Sequence, residues 1–122
     1  MSRTEIQRSR RWAIKIGSAL LTSNGTGVNF SLISQLALQI NELRNSGVEV
    51  LLVSSGAVAS GVARLGWTRR PDDMPGLQAA AAVGQSVLVR AYETQFAVHE
   101  MTIAQVLLTH ADLANAERRK NA

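Results

Sequence analysis

Short apolar runs that end at glycine or serine alternate with longer runs of helical period, and that alternation confines the chain to a layered α/β fold. Trp12-Ala13-Ile14-Lys15-Ile16 is such a run, ending at Gly17, and it reads as a strand. Ser23-Asn24-Gly25-Thr26-Gly27 is turn chemistry, so residues 18–30 are predicted to be mostly loop. From Ser31 the apolar positions Leu32, Ile33, Leu36, Ala37, Ile40 and Leu43 share one helix face. Asn29 or Ser31 is the candidate N-cap, and Gly47 the candidate C′ residue. Val48 to Val53 forms a second strand that stops at Ser54-Ser55-Gly56. Ala57 to Leu65 reads as a short helix closed by Gly66. Pro75 is placed to open a long Ala-rich helix from Leu77 to about Val98. Ile103 to Leu108 is predicted to be a third strand, and Asp112 to cap a last helix running into Ala122.

The resulting order is β-α-β-α-α-β-α. Strands joined by helical crossovers are parallel, with right-handed connections. The second strand carries one charge and the third none, which suits a sheet buried on both faces. The sheet is thin and the last helix ends without a C-terminal glycine, so the chain reads as the N-terminal portion of something larger. With 122 residues it amounts to about one small domain. Only five residues are aromatic, so the core must come from Ala, Val, Leu and Ile. There is no cysteine, which excludes a disulfide framework, a thiolate zinc site and a thiol nucleophile. Absence of cysteine fits a cytoplasmic protein.

The net charge of +4 sits at the two ends. Residues 1–11 carry Arg3, Arg8, Arg10 and Arg11 against Glu5, and read as a frayed basic extension preceding a domain over 12–122. Residues 12–111 hold six basic and six acidic side chains. No aromatic residues interleave with the basic ones, so a nucleic-acid partner is not expected. No run is long enough to span a bilayer, so no membrane partner is expected either.

In an open parallel sheet, ligands bind beyond the carboxyl ends of the strands. That rule selects Lys15-Ile16-Gly17-Ser18, Ser54-Ser55-Gly56-Ala57 and Thr109-His110-Ala111-Asp112. Lys15 interrupts an apolar strand; a buried ammonium requires an anion, whereas on an edge strand it would snorkel to water. Gly17 lets backbone approach closely, so Lys15 could reach a phosphate. Ser54 and Ser55 stand where a strand becomes a helix, where free N–H groups attract anions. The plainer alternative is that one serine simply caps the helix. There is no G-x-x-x-x-G-K-[ST], no G-x-G-x-x-G after a strand and no G-x-S-x-G elbow. His99 and His110 have no partner at metal-ligand spacing, so no metal-ligating residue is assigned. Arg118-Arg119-Lys120 reads as a solvated helix end favoured by the macrodipole.

Ile14-Lys15-Ile16-Gly17-Ser18 resembles the opening K-x-G-[ST] motif of the amino acid kinase superfamily. Val53-Ser54-Ser55-Gly56-Ala57-Val58-Ala59-Ser60-Gly61 is similar to its second glycine-containing loop, in the form found in the glutamate-phosphorylating branch. Ala81-Ala82-Val83-Gly84-Gln85 and Gln105-Val106-Leu107-Leu108-Thr109 with Asp112 add two more matching stretches. The resemblance covers the chain from about Trp12 onward. It implies a three-layer αβα fold with a mostly parallel sheet, and a homo-oligomer in the full-length protein. It also implies ATP-dependent phosphorylation of the side-chain carboxylate of L-glutamate, with Mg²⁺ bridging the nucleotide phosphates. Lys15, with a catalytic role, matches the lysine that contacts the ATP phosphates, with Gly17 and Ser18 beside it. Ser55 matches the glutamate-binding serine, with Gly56 and Ala57 as loop neighbours. The family's other glutamate contacts, an Asp and an Asn, and its nucleotide-binding half fall beyond Ala122 in register. The 122 residues alone are therefore expected to show no kinase activity. A sibling kinase acting on acetylglutamate or aspartate and a non-catalytic fragment remain as alternatives; the V-S-S-G-A loop suits the glutamate branch better.

Overall fold

The computed structural model describes residues Met1–Ala122 and contains a two-stranded parallel sheet with helices packed on one side of it. The strands are β1 (Arg11–Ile16) and β2 (Glu49–Ser54), in register from Arg11 opposite Glu49 to Ile16 opposite Ser54. The crossover between them is helix α3 (Phe30–Asn45), preceded by α1 (Arg3–Arg8) and the single turn α2 (Ser18–Leu21). After β2 come α4 (Ala57–Leu65), the long α5 (Met74–Ala97), α6 (His110–Ala114) and α7 (Ala116–Asn121).

Local chemistry explains the boundaries. The Asn29 side chain accepts from the Leu32 N–H at 3.0 Å and starts α3. Gly47, at φ 87°, follows its C-cap and turns the chain left-handed into β2. The Asp73 side chain accepts from the Gly76 N–H at 3.0 Å, and Pro75 occupies the first turn, so α5 starts three residues before the sequence pattern places it. The N-terminal segment is no frayed tail. Ser2 and Glu5 form a reciprocal capping box on α1. Beyond it, Arg10 donates to the Ser46 carbonyl at the end of α3, and Arg11 pairs with Glu49 at 2.7 Å.

The strands alternate cleanly. Trp12, Ile14, Ile16, Val50 and Leu52 face the helices, whereas Ala13, Lys15, Leu51 and Val53 lie on the exposed face. Against the inner face, α3 contributes Ile33, Leu36, Ala37 and Ile40, and α5 contributes Leu88, Ala91, Tyr92 and Phe96. Each fully buried aliphatic side chain there is worth roughly 1.5–3 kcal/mol. The α/β class and the parallel pairing hold. Of three expected layers, these residues form two, because no helix covers the face that carries Leu51 (59 % exposed) and Val53 (46 % exposed).

Two local expectations require correction. Ile103–Leu108 forms no third strand: it is extended chain outside any ladder, with Val106, Leu107 and Leu108 exposed. An uncharged, mostly apolar strand gains its stability from burial on both faces, and the uncovered side of this sheet offers none. The segment instead flanks a groove of about 450 Å³ beside β2, lined by Val50, Leu52, Phe96 and Met101 among others. The stretch 18–30 is mostly loop as predicted, with the single helical turn α2 at its start. Finally, Thr109 rather than Asp112 caps α6, and Asn115 ends that helix and caps α7, splitting the predicted last helix in two. No helix is long and apolar enough to cross a membrane.

The tightest packing in the chain is the α4–α5 crossing. A Cβ at Gly61 would collide with the Ala80 carbonyl and lie 2.9 Å from Ala80 Cα. One at Gly84 would collide with the Ala57 carbonyl and lie 2.6 Å from the Gly61 nitrogen. The two backbones touch because both positions lack a side chain. Helix propensity alone would make Gly84→Ala stabilising by about 0.5–1 kcal/mol. Overpacking costs about 1–3 kcal/mol and dominates here. Urea unfolding should therefore show Gly84→Ala less stable than the parent; a gain in stability would refute the close crossing.

Candidate functional site

Parallel pairing sets the carboxyl ends of β1 and β2 side by side. The Ser55 N–H donates to the Ile16 carbonyl at 3.1 Å, extending the contact one residue past the ladder. Gly56 then takes a left-handed conformation, φ 100° and ψ 5°, and turns the chain into α4. A Cβ at Gly56 would lie 3.2 Å from Thr22 Cγ2 and 3.3 Å from Leu21 Cδ2, so this bend rests on the end of α2. Thr22 is itself fixed, its hydroxyl donating to the Ser18 carbonyl at 2.6 Å and accepting from the Gly25 N–H at 3.3 Å. The Lys15–Ser18 and Ser54–Ala57 segments thus share one rim.

The plain capping alternative fails at this rim. Gly56 holds the N-cap position of α4, and neither Ser54 nor Ser55 makes a side-chain cap bond to the helix. The first-turn N–H groups keep their pull on negative charge. Ser55 is exposed. A Cβ at Gly17 would meet nothing within 4 Å, so the rim is open above it.

Lys15 departs from expectation in one respect. It is exposed on the outer face, so its charge is not a buried one that demands compensation. It also makes no ion pair; the two in the chain join Arg11 to Glu49 and Arg118 to Asp112. Its ammonium is therefore available to an incoming anion at the same end of the sheet as Ser55.

The third segment selected by the sequence does not join the rim. Thr109 to Asp112 is an exposed capping box, and α6 packs mainly on α7. The Thr109 N–H and hydroxyl donate to Asp112 Oδ2 at 2.8 and 2.9 Å. The backbone bond first, and the hydroxyl second, hold the Asp112 carboxyl below the ordinary Asp range. Arg118, 3.7 Å from Asp112, and the basic last turn of α7 complete a local structural device. No group of three or more His, Asp or Glu side chains is placed to hold a metal ion.

Sequence reasoning missed Tyr92. Its hydroxyl lies 2.8 Å from Ser54 Oγ, bringing the middle of α5 against the last residue of β2. Its ring also packs edge-on against Phe96, with centroids 6.2 Å apart. The available signal was a lone tyrosine within an Ala-rich helix, since a buried phenol needs a partner. Burial raises the Tyr92 pKa.

The sequence model of the amino acid kinase family matches residues 10–122. Glutamate 5-kinase of Nitrosococcus oceani is 54 % identical over 120 residues, covering 98 % of this chain and 32 % of that protein. Glutamate 5-kinase of Thioalkalivibrio sulfidiphilus is 57 % identical over 121 residues, covering 99 % of this chain and 32 % of that protein. For glutamate 5-kinase of Hydrogenovibrio crunogenus the identity is 52 % over 123 residues, covering 100 % of this chain and 33 % of that protein. The chain spans about a third of the length of these curated relatives.

Tyr92 is the single tyrosine, so phenolate absorbance reports it alone. Its folded pKa lies above the ordinary value of 10.0. The stabilisation is therefore complete below pH about 10 and is lost as pH rises through the folded pKa. An ultraviolet titration should give a midpoint above that of the urea-unfolded chain; coincident midpoints would show that the phenol is not held as described.

Proposed function

The chain belongs to the amino acid kinase family, and we propose that its rim serves ATP-dependent phosphorylation of the γ-carboxylate of L-glutamate, giving γ-glutamyl phosphate in proline biosynthesis. The observation that carries this reading is the meeting of the Lys15–Gly17 and Ser55–Gly56 segments at the ends of two paired parallel strands. The relatives named glutamate 5-kinase support the choice of acceptor.

The residues fit a phosphorylated nucleotide and a carboxylate acceptor. Lys15 is exposed and unpaired, Gly17 leaves open space, and α4 presents an uncapped first turn. ATP supplies the phosphoryl group, and Mg²⁺ neutralises its phosphates. No group of three or more acidic or histidine side chains among these residues is placed to hold that ion. Lys15 offsets negative charge that builds up on the transferring group, and Gly17 and Ser18 border the phosphates. On the acceptor side, Ser55 hydrogen-bonds the glutamate, and Gly56 and Ala57 shape the loop around it. The carboxylate is already a nucleophile, so no residue here has to remove a proton from it. The reaction needs position and positive charge more than covalent help. The same reading places the protein in the cytoplasm as a homo-oligomer.

The test is a turnover assay with hydroxylamine, which traps acyl phosphates, on this chain and on a full-length glutamate 5-kinase carrying it as a graft. L-glutamate should outcompete L-aspartate and N-acetyl-L-glutamate. Lys15→Met should lower kcat about 100-fold or more, the usual scale for a lost charge stabiliser. Ser55→Ala should raise KM for glutamate about tenfold and leave KM for ATP unchanged. Preference for another acceptor, or an unaltered glutamate KM in Ser55→Ala, would sink the proposal.

A further inference from the structure

The bend at Ser55-Gly56 is gripped from both sides by one helix. Ahead of it, Tyr92 of α5 meets Ser54 at 2.8 Å. Behind it, Gly84 of the same helix lies against the carbonyl of Ala57 so closely that a Cβ would not fit. The hydrogens can be assigned. Ser54 Oγ donates to the Ser55 carbonyl at 3.1 Å, because a carbonyl only accepts. With that proton on the Ser55 carbonyl, Ser54 accepts from Tyr92 and the phenol is the donor, one of the two directions the 2.8 Å contact allows. The chain of bonds runs from the Tyr92 O–H to Ser54 Oγ, and from the Ser54 O–H to the Ser55 carbonyl.

That carbonyl belongs to the peptide plane joining Ser55 to Gly56. Gly56 lies in the left-handed region, where glycine rotates freely and its own torsions do not hold the plane. The relay holds that plane instead, while the Ser55 N–H bond to Ile16 holds the preceding plane, between Ser54 and Ser55. Tyr92 suits the task, since its ring is buried against Phe96 and contributes no freedom of its own.

We propose that Tyr92 is a positioning residue that orients the Ser55 loop for the acceptor carboxylate, acting through the hydroxyl of Ser54. The proposal deepens the reading of the rim as the glutamate site and rests on it.

Two readouts separate the claims. In ¹⁵N spectra of the 122-residue chain, Tyr92→Phe keeps the ring and removes the hydroxyl, and should shift the amides of Ser55, Gly56 and Ala57. Ser54→Ala should shift the same amides, Ser54→Thr should restore them, and the double variant should move them no further than Ser54→Ala. L-glutamate titrated into the full-length graft should bind its Tyr92→Phe variant about fivefold more weakly than the parent graft, roughly the worth of one ordinary hydrogen bond. Unmoved amides in a folded Tyr92→Phe sample would overturn the relay whatever the acceptor is. Shifted amides with unchanged glutamate affinity would overturn the positioning role. If the full-length graft carrying the parent sequence binds no glutamate, the acceptor reading falls, and the amides still decide the relay.

Discussion

Everything at the rim depends on the parallel ladder between β1 and β2. A parallel pair puts both carboxyl ends at the same edge, and the crossover through α3 makes the pairing parallel. An antiparallel pair would send Lys15 and Ser55 to opposite ends. The ladder is short, from Arg11 opposite Glu49 to Ile16 opposite Ser54, so its own hydrogen bonds contribute little. Its register is held by side chains. Ile14 and Ile16, with Val50 and Leu52, must face α3 and α5, and a slip of one residue would turn them outward. Hydrophobic alternation thus sets the position of a polar rim that contains almost none of those residues.

The second constraint is the bare crossing of α4 on α5. With glycine at 61 and 84, the helices touch through backbone, and the start of α4 cannot drift from α5. The closeness has a cost. Ser60 is buried at this crossing and its hydroxyl has no hydrogen-bond partner. An unsatisfied hydroxyl costs about 1–3 kcal/mol, so a Ser-to-Ala change there would be expected to cost little or to stabilise. The crossing therefore secures position at some expense of stability, as happens where a loop must be held for binding.

The parts legible in the sequence were those written in periodicity and in terminus chemistry. The face of α3 from Ile33 to Ile40, the Asn29 cap and the Gly47 stop follow from local rules, and the structure places them accordingly. The pairing of the two loops at the rim was legible too, because strand polarity needs only the order β-α-β. What escaped depends on contacts distant in sequence. Ile103–Leu108 has the composition of a strand, but a strand requires a partner and a covered face, and neither is local information. Tyr92 meets Ser54 across 38 positions of sequence, a distance that no period reveals. The Ser54–Ala57 stretch was read as a helix start, which is right, while the choice of Gly56 over a serine as the cap depends on the left-handed turn against α2.

The exposure of Lys15 bears on how its charge can act. A buried, unpaired ammonium would be neutralised or would destabilise the fold. In water, an exposed one gains only about 1 kcal/mol from an anion at 4 Å, but about 4 kcal/mol where the effective dielectric falls to about 20. The neighbours of Lys15 on its face, Ala13, Leu51 and Val53, are apolar and carry no counter-charge. They neither pair with the ammonium nor compete for the anion. In the proposed site, an anion bound at the rim would displace water and lower the local dielectric around a charge that has no other partner. Under that proposal Lys15 would be harmless to the free chain and strong in the occupied site, a combination that a salt-bridged lysine could not provide.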